Sequence, residues 1–246
     1  FDIAEQKAVK AIQKHSMNIN GKERNKKIDD AYLLLGKSRY YTERFIPAID
    51  AYNYIIANYP NASLINETKI WRAKAHIRIE NEELAIETLE ILLRKPDLPD
   101  FIREDANTAL AMAYTKLDSI NTARNYLWEA TKTSKNKTQR ARNLFVLGQL
   151  YSLDKIKDTA SIVFKKLINF KQAPYKYKIH AAIELAKNSV SDSSSLAILE
   201  RYKKLIKNRD NRPYLDEIYY QVAVLEQERD SLSLAILNYN KSLRAK

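Results

Sequence analysis

The sequence predicts an all-α protein, a right-handed α-solenoid of helical hairpins, and three observations carry that prediction. Three glycines and six prolines in 246 residues are too few for the many tight turns of an all-β chain. Apolar residues recur at helical spacing, as in AYLLLGKSRYY (31–41) and DTASIVFKKLINF (158–170). One pattern also returns six times. Alanine marks it at Ala48, Ala85, Ala123, Ala160 and Ala235, with Ile198 completing the series at steps of 37 or 38 residues. Twelve residues before each marker stands a small residue, Gly36, Ala73, Ala111, Gly148, Ala186 or Ala223. Four residues after it stands a large one, Tyr52, Leu89, Leu127, Phe164, Tyr202 or Tyr239.

The elements follow in order. AEQKAVKAIQKHS (4–16) places Ala4, Ala8, Ala11 and Ile12 on one stripe and reads as a lone helix, either half of an upstream repeat or a cap, with a linker to residue 27. Residues 28–246 then divide into about six hairpins of one solenoid that spans 1–246. In the first, AYLLLGKSRYY precedes PAIDAYNYIIANY; in the fourth, RNLFVLGQLYSL precedes DTASIVFKKLINF. Glycine inside a helix costs about 1 kcal/mol relative to alanine. Gly36 and Gly148 are therefore expected where two helix backbones approach closely. Pro47 opens a second helix, Pro60, Pro96, Pro174 and Pro213 follow second helices, and Pro99 lies in a linker. The fifth unit is the most degenerate, through Ile198 and the run Ser191 to Ser195.

The charge is +12 but uneven: residues 1–100 carry 16 Lys/Arg against 15 Asp/Glu, whereas 132–212 carry 19 against 6. That excess fits an acidic protein surface, anionic head groups, nucleic acid or plain solvation. Cysteine is absent, which removes disulfides and thiolate chemistry. No apolar run approaches the roughly 18 residues of a membrane span. A chain opening on Phe1, without a signal-peptide pattern, reads as part of a longer or processed one.

Small, large and aromatic residues at these offsets resemble the tetratricopeptide repeat, a 34-residue helix-turn-helix unit. The first copy matches with Tyr32, Leu35, Gly36, Ala48, Tyr52 and Pro60, the fourth with Leu147, Gly148, Tyr151, Ala160 and Phe164. The second is weak, with Arg72 and His76 where Leu and Tyr are usual. The register puts Tyr32, Tyr52, Tyr151, Tyr202, Tyr219 and Tyr239 on core positions. Segment order is more specific. The stretch Lys10 to Pro60, followed by IWRAKAHIRIENEELAIETL, NLFVLGQLYSL and YLDEIYYQVAVLE, resembles the tetratricopeptide-repeat lipoprotein of Bacteroidetes gliding motility and type IX secretion, the SprE/PorW family. That resemblance implies an N-terminal portion of a longer lipoprotein on the periplasmic face of the outer membrane. It also implies a lipidated cysteine upstream of Phe1 and type IX secretion components as protein partners. The alternative is a generic cytoplasmic adaptor that binds a peptide segment.

No enzyme is expected. His15, His76 and His180 fall in different units, which denies a triad. His76 with Glu80 and His180 with Glu184 have the spacing of helical metal ligands without a third ligand, so no metal site is assigned. Isolated glycines build no phosphate loop, and no cofactor is expected. Nucleic acid is not expected as a partner; NFKQAPYKYK serves equally as a linker.

In the repeat that the chain resembles, the first helix of each hairpin lines the binding groove, and the residue after the small position projects into it. That place reads Lys37, Lys74, Met112, Gln149, Lys187 and Val224. Lys37, Tyr40, Tyr41, Lys74, Arg78, Gln149 and Lys187 are the expected groove residues, with lysines reaching solvent or a ligand carboxylate. A second candidate is a basic edge of Lys132, Lys135, Lys137, Arg140 and Arg142, suited to an acidic partner or lipid head groups.

Overall fold

The computed structural model describes residues 1–25, 27–132, 135–188 and 194–245, with the backbone alone at Lys22; Ser191 to Ser193 of the serine run lie outside these. The chain divides into two compact units, Phe1–Ser134 and Lys135–Lys246. In the first, helix α1 (Asp2–His15) is followed by strands β1 (Asn18–Ile19) and β2 (Lys22–Glu23). Three hairpins follow: α2 (Ile28–Tyr41) with α3 (Phe45–Asn58), α4 (Ile65–Arg78) with α5 (Glu82–Leu93), and α6 (Asp100–Lys116) with α7 (Ile120–Lys132). The second unit holds α8 (Lys137–Leu153) with α9 (Lys157–Ile168), α10 (Tyr175–Asn188) with α11 (Ser195–Lys207), and α12 (Leu215–Glu228) with α13 (Leu232–Arg244). A short 3-10 segment, Arg209–Tyr214, contains Pro213 and leads into α12. No described helix is long and apolar enough to cross a membrane.

The first four hairpins and the sixth close in the same way, and the connection of the fifth lies outside the described residues. The backbone is left-handed at Glu43, Glu80, Asp118, Lys155 and Asp230, each five residues before its marker. In each case the following N–H bonds back to a carbonyl five residues earlier, such as Arg44 N to Arg39 O at 2.9 Å and Ile156 N to Tyr151 O at 2.9 Å. This is the hydrogen-bonded stop that glycine usually supplies; here side-chain-bearing residues accept the strain. Next, the marker alanines Ala48, Ala85, Ala123, Ala160 and Ala235 are buried against the first helix of their hairpin.

The glycines do something other than admit a close backbone. A Cβ on Gly36 would overlap the ring of Tyr52, and one on Gly148 the ring of Phe164. Both rings are fully buried. The glycine makes room for an aromatic from the facing helix. Where the large residue is Leu89 or Leu127 the small residue is Ala73 or Ala111, and all four are buried. Small and large side chains therefore share one volume, as close-packed interiors require.

Two expectations need correction. The segment before α2 is more than a linker: Asn20 and Gly21, with φ of 53° and 74°, turn a two-stranded antiparallel hairpin pairing Asn18 with Glu23 and Ile19 with Lys22. Asn-Gly is the residue pair that such a turn favours. Of the six core tyrosines only Tyr52 and Tyr202 are buried; Tyr32, Tyr151, Tyr219 and Tyr239 are half-buried.

The fifth hairpin departs from the others. Ile198 replaces the marker alanine, and Tyr202 is paired with Ala186 where the rings of the first and fourth hairpins meet glycine. Among the described residues, α10 and α11 touch less than any other pair within a hairpin. Ile198 is half-buried against the core that α10, α11 and α12 share.

Candidate interaction surface: aromatic and cationic side chains of the first helices

Trp71 of α4 is the centre of the best-built surface. The Lys37 ammonium of α2 lies 5.3 Å from its ring and that of Lys74, one turn along α4, lies 4.6 Å away. Tyr40 and Tyr41 meet the same indole edge-on, at 5.3 Å and 5.7 Å. Phe1, at the start of α1, stacks on Tyr41 at 4.7 Å. On the other side of Tyr40, Phe45 of α3 sits at 5.5 Å, with the Arg78 guanidinium 4.7 Å above it. Helical spacing produces this ridge. Residues 37, 40 and 41 share one face of α2, and 71, 74 and 78 share one face of α4.

The lysines do not reach out for a ligand. Lys37 Nζ is 2.5 Å from Glu67 Oε1 of the next hairpin, and Lys74 Nζ is 2.6 Å from Asp105 Oδ1 of the one after. Arg78 reaches Glu43 at 3.7 Å. Each lysine of one first helix thus meets a carboxylate in the first helix of the following hairpin. Half-buried ammonium groups take internal counter-charges because leaving them unpaired is costly, so a ligand carboxylate at Lys37 or Lys74 would compete with Glu67 or Asp105. What stays open to solvent is aromatic and amphipathic. Tyr41 is 52% and Phe1 68% exposed. Arg78 is exposed as well.

The other expected groove residues do not join this cluster. Met112 packs on the core between the second and third hairpins. Gln149 of α8 and Lys187 of α10 are exposed, in the second unit. The basic edge is divided between units: Lys132 belongs to the first and pairs with Glu129 at 2.5 Å, while Lys135, Lys137, Arg140 and Arg142 belong to the second. Arg140 is half-buried over the Phe170 ring at 5.0 Å, so it is packed rather than presented.

The histidines also find partners that their spacing does not announce. His180 Nδ1 lies 2.8 Å from Glu217 Oε2 of α12, and that hydrogen bond raises its pKa above the usual 6.5 against the opposing effect of burial. Burial raises the pKa of Glu184, one turn away on α10. His76 is driven the other way, by burial and then by Arg72, and its Nδ1 is buried without a hydrogen bond. No group of three His, Asp or Glu among the described residues is placed to hold a metal.

Phe1, Glu43, Phe45, Glu67, Trp71 and Asp105 are the members of the ridge that sequence reasoning missed. The available signal was an acid 30 or 31 residues after Lys37 and Lys74, one repeat less about two helical turns.

No protein-family model matches the chain, and no curated protein matches it. Solved structures match in fold. The apo form of RapI superposes with a TM-score of 0.57 at 16% identity, over 88% of this chain and 63% of RapI. PilF of Pseudomonas aeruginosa gives 0.60 at 16% identity, over 89% of this chain and 97% of PilF. TTC0263, a tetratricopeptide-repeat protein of Thermus thermophilus, gives 0.51 at 18% identity, over 80% and 98%. The chain therefore spans less than two thirds of RapI. Its fold is an all-α solenoid of tetratricopeptide-like hairpins.

Proposed function

We propose that this chain is a non-enzymatic scaffold that holds a protein partner on the first-helix ridge of its N-terminal unit. The observation that carries the reading is the open aromatic surface of Phe1 and Tyr41 beside Arg78, on a frame whose lysines are already neutralised. Aromatic and arginine side chains dominate the energetics of protein interfaces, whereas lysine is depleted there. Pre-paired cations make the ridge suited to an apolar or aromatic anchor more than to a run of carboxylates. In the finer reading, supported by the sequence resemblance, that partner is a component of type IX secretion and gliding motility. The chain then works at the periplasmic face of the outer membrane, tethered by a lipid anchor in a segment upstream.

The test is a pull-down from envelope and cytoplasmic fractions of the source cell. Wild type is compared with Tyr41→Ser/Arg78→Glu and, separately, with charge reversal at Lys135 and Arg142. Loss of one defined envelope partner only in the first variant, with unchanged circular dichroism, supports the ridge and the envelope setting. Retention in the first and loss in the second moves the site to the basic edge. Recovery only from the cytoplasmic fraction replaces the secretion role with the cytoplasmic adaptor.

A further inference from the structure

The sparse contact between α10 and α11 coincides with an open groove beside them. A groove of about 580 Å³ lies between α9, α10 and α11, wholly inside the second unit. Ligand pockets run from roughly 300 to 1,000 Å³, so this one has room for a side-chain anchor and the backbone beside it. Its floor is Ala182 and Leu185 of α10, and its apolar walls are Ile162 of α9 and Leu205 of α11. Ile162 is 65% exposed, a large aliphatic side chain left to water inside a concave site.

The rim is basic. Lys165 on one wall and Lys204 on the other are exposed and make no salt bridge among the described residues. Arg201 is fixed beside them by Nη1 donating to Ala186 O at 3.2 Å. Asp158 is the single carboxylate of the lining, beside Lys165 and Lys204. Lys37 and Lys74 are paired with Glu67 and Asp105, whereas Lys165 and Lys204 border the apolar lining without a salt bridge among the described residues. The surrounding stretch, 132–212, also carries the basic excess of the whole chain.

We propose that this groove binds an acidic segment of a partner protein through a leucine- or isoleucine-sized anchor. The anchor enters between Ile162, Leu185 and Leu205, and carboxylates flanking it meet Lys165 and Lys204. An apolar contact supplies affinity while charge complementarity sets orientation and selects against basic partners. The site is independent of the Trp71 ridge, which belongs to the other unit.

The experiment uses the full chain and a fluorescein-labelled synthetic peptide, glutamate-rich with two leucines four residues apart, read by fluorescence anisotropy. Saturable binding is expected. It should weaken by about tenfold or more in Lys165→Glu/Lys204→Glu and again in Ile162→Asp, all exposed positions at which circular dichroism should not change. Tyr41→Ser/Arg78→Glu should leave the affinity unchanged. A peptide with serine for both leucines, and one with lysine for the glutamates, should not bind. The proposal is overturned if the peptide fails to saturate, if the serine peptide binds as tightly, or if the Lys165/Lys204 or Ile162 variants retain full affinity. It is equally overturned in favour of a lipid surface if phosphatidylglycerol vesicles bind with the same Lys165/Lys204 dependence while the peptide does not.

Discussion

The fourth and fifth hairpins lie next to one another in the chain and share every offset of the repeat, yet they pack differently. In the fourth, Ala160 is buried against α8 and the Phe164 ring occupies the space that Gly148 leaves. In the fifth, Tyr202 still buries its ring, but the residue opposite is Ala186 and the marker is Ile198. The sixth hairpin resolves the same conflict of alanine and tyrosine by another route: Tyr239 swings to a half-buried position and its hydroxyl donates to Gln227 Oε1 at 2.9 Å. What matters for helix separation is the combined volume of three positions, small, marker and large. The mismatch goes with sparse helix contact beside a groove in the fifth hairpin and with a half-buried ring in the sixth.

The sharpest way to break this comparison is to overfill the fourth hairpin. Gly148→Leu should cost about 3 kcal/mol, at the upper end for overpacking, because the Phe164 ring has no exposed side toward which to move; unchanged urea unfolding would remove the shared-volume account. Exchanging the markers comes next. Ala160→Ile should cost about 2 kcal/mol, whereas Ile198→Ala should cost under about 1 kcal/mol, below the usual 2–5 for a fully buried isoleucine, because Ile198 is only half-buried. Equal losses at the two sites would mean that the two markers are packed alike.

A double-mutant cycle sharpens the pairing itself. Gly148→Ala alone gains up to about 1 kcal/mol of helix propensity but loses more to the ring overlap. Combined with Phe164→Leu it recreates the alanine and leucine pair of the second and third hairpins. A coupling of about 1 kcal/mol in favour of the double variant is expected, and additivity would argue against it. Lys155→Gly, at the left-handed turn between α8 and α9, should stabilise the protein by roughly 0.5–1 kcal/mol in thermal melts, and a loss would mean that the lysine side chain has a partner outside the turn.

The smallest effect concerns the clamp from the fifth hairpin to the sixth. His180 faces Glu217 and Asp216 of α12 as well as Lys176 and Glu184 of its own helix. Its folded pKa lies above the unfolded one, so the stability it contributes is fully present below pH 6.5 and is lost as pH rises through the folded value. Melting temperature should therefore fall slightly across that window in the wild type and not in His180→Asn. A parallel fall in both would assign the pH dependence elsewhere.

Much of the fold was legible because periodicity is a local property. The marker positions, both helices of the hairpins and the lone first helix follow from spacing of small and large residues that the chain repeats six times. The β-hairpin was legible too, in Asn20-Gly21, but its strands are too short to show alternation. The hairpin turns were hidden, since Glu43, Glu80, Asp118, Lys155 and Asp230 take a conformation usually announced by glycine. The reason for Gly36 and Gly148 was half visible: a missing side chain signals a close neighbour without saying whether that neighbour is backbone or ring.

The candidate sites lay further from reach. A lysine in the first helix reads as exposed whether or not a carboxylate from the next hairpin covers it, and only the stacking of α2 on α4 and α4 on α6 decides that Lys37 meets Glu67 and Lys74 meets Asp105. Likewise Ile198 reads as a worn copy of the repeat, and only the tertiary structure shows the sparse contact of α10 with α11 and the groove beside them. Sequence by itself determined which residues face inward, because burial follows the period of the helix. The separation of the helices, and hence which charges are answered and which apolar walls stay open, was decided by the summed volumes and distances of side chains from different helices, which only their packing brings together.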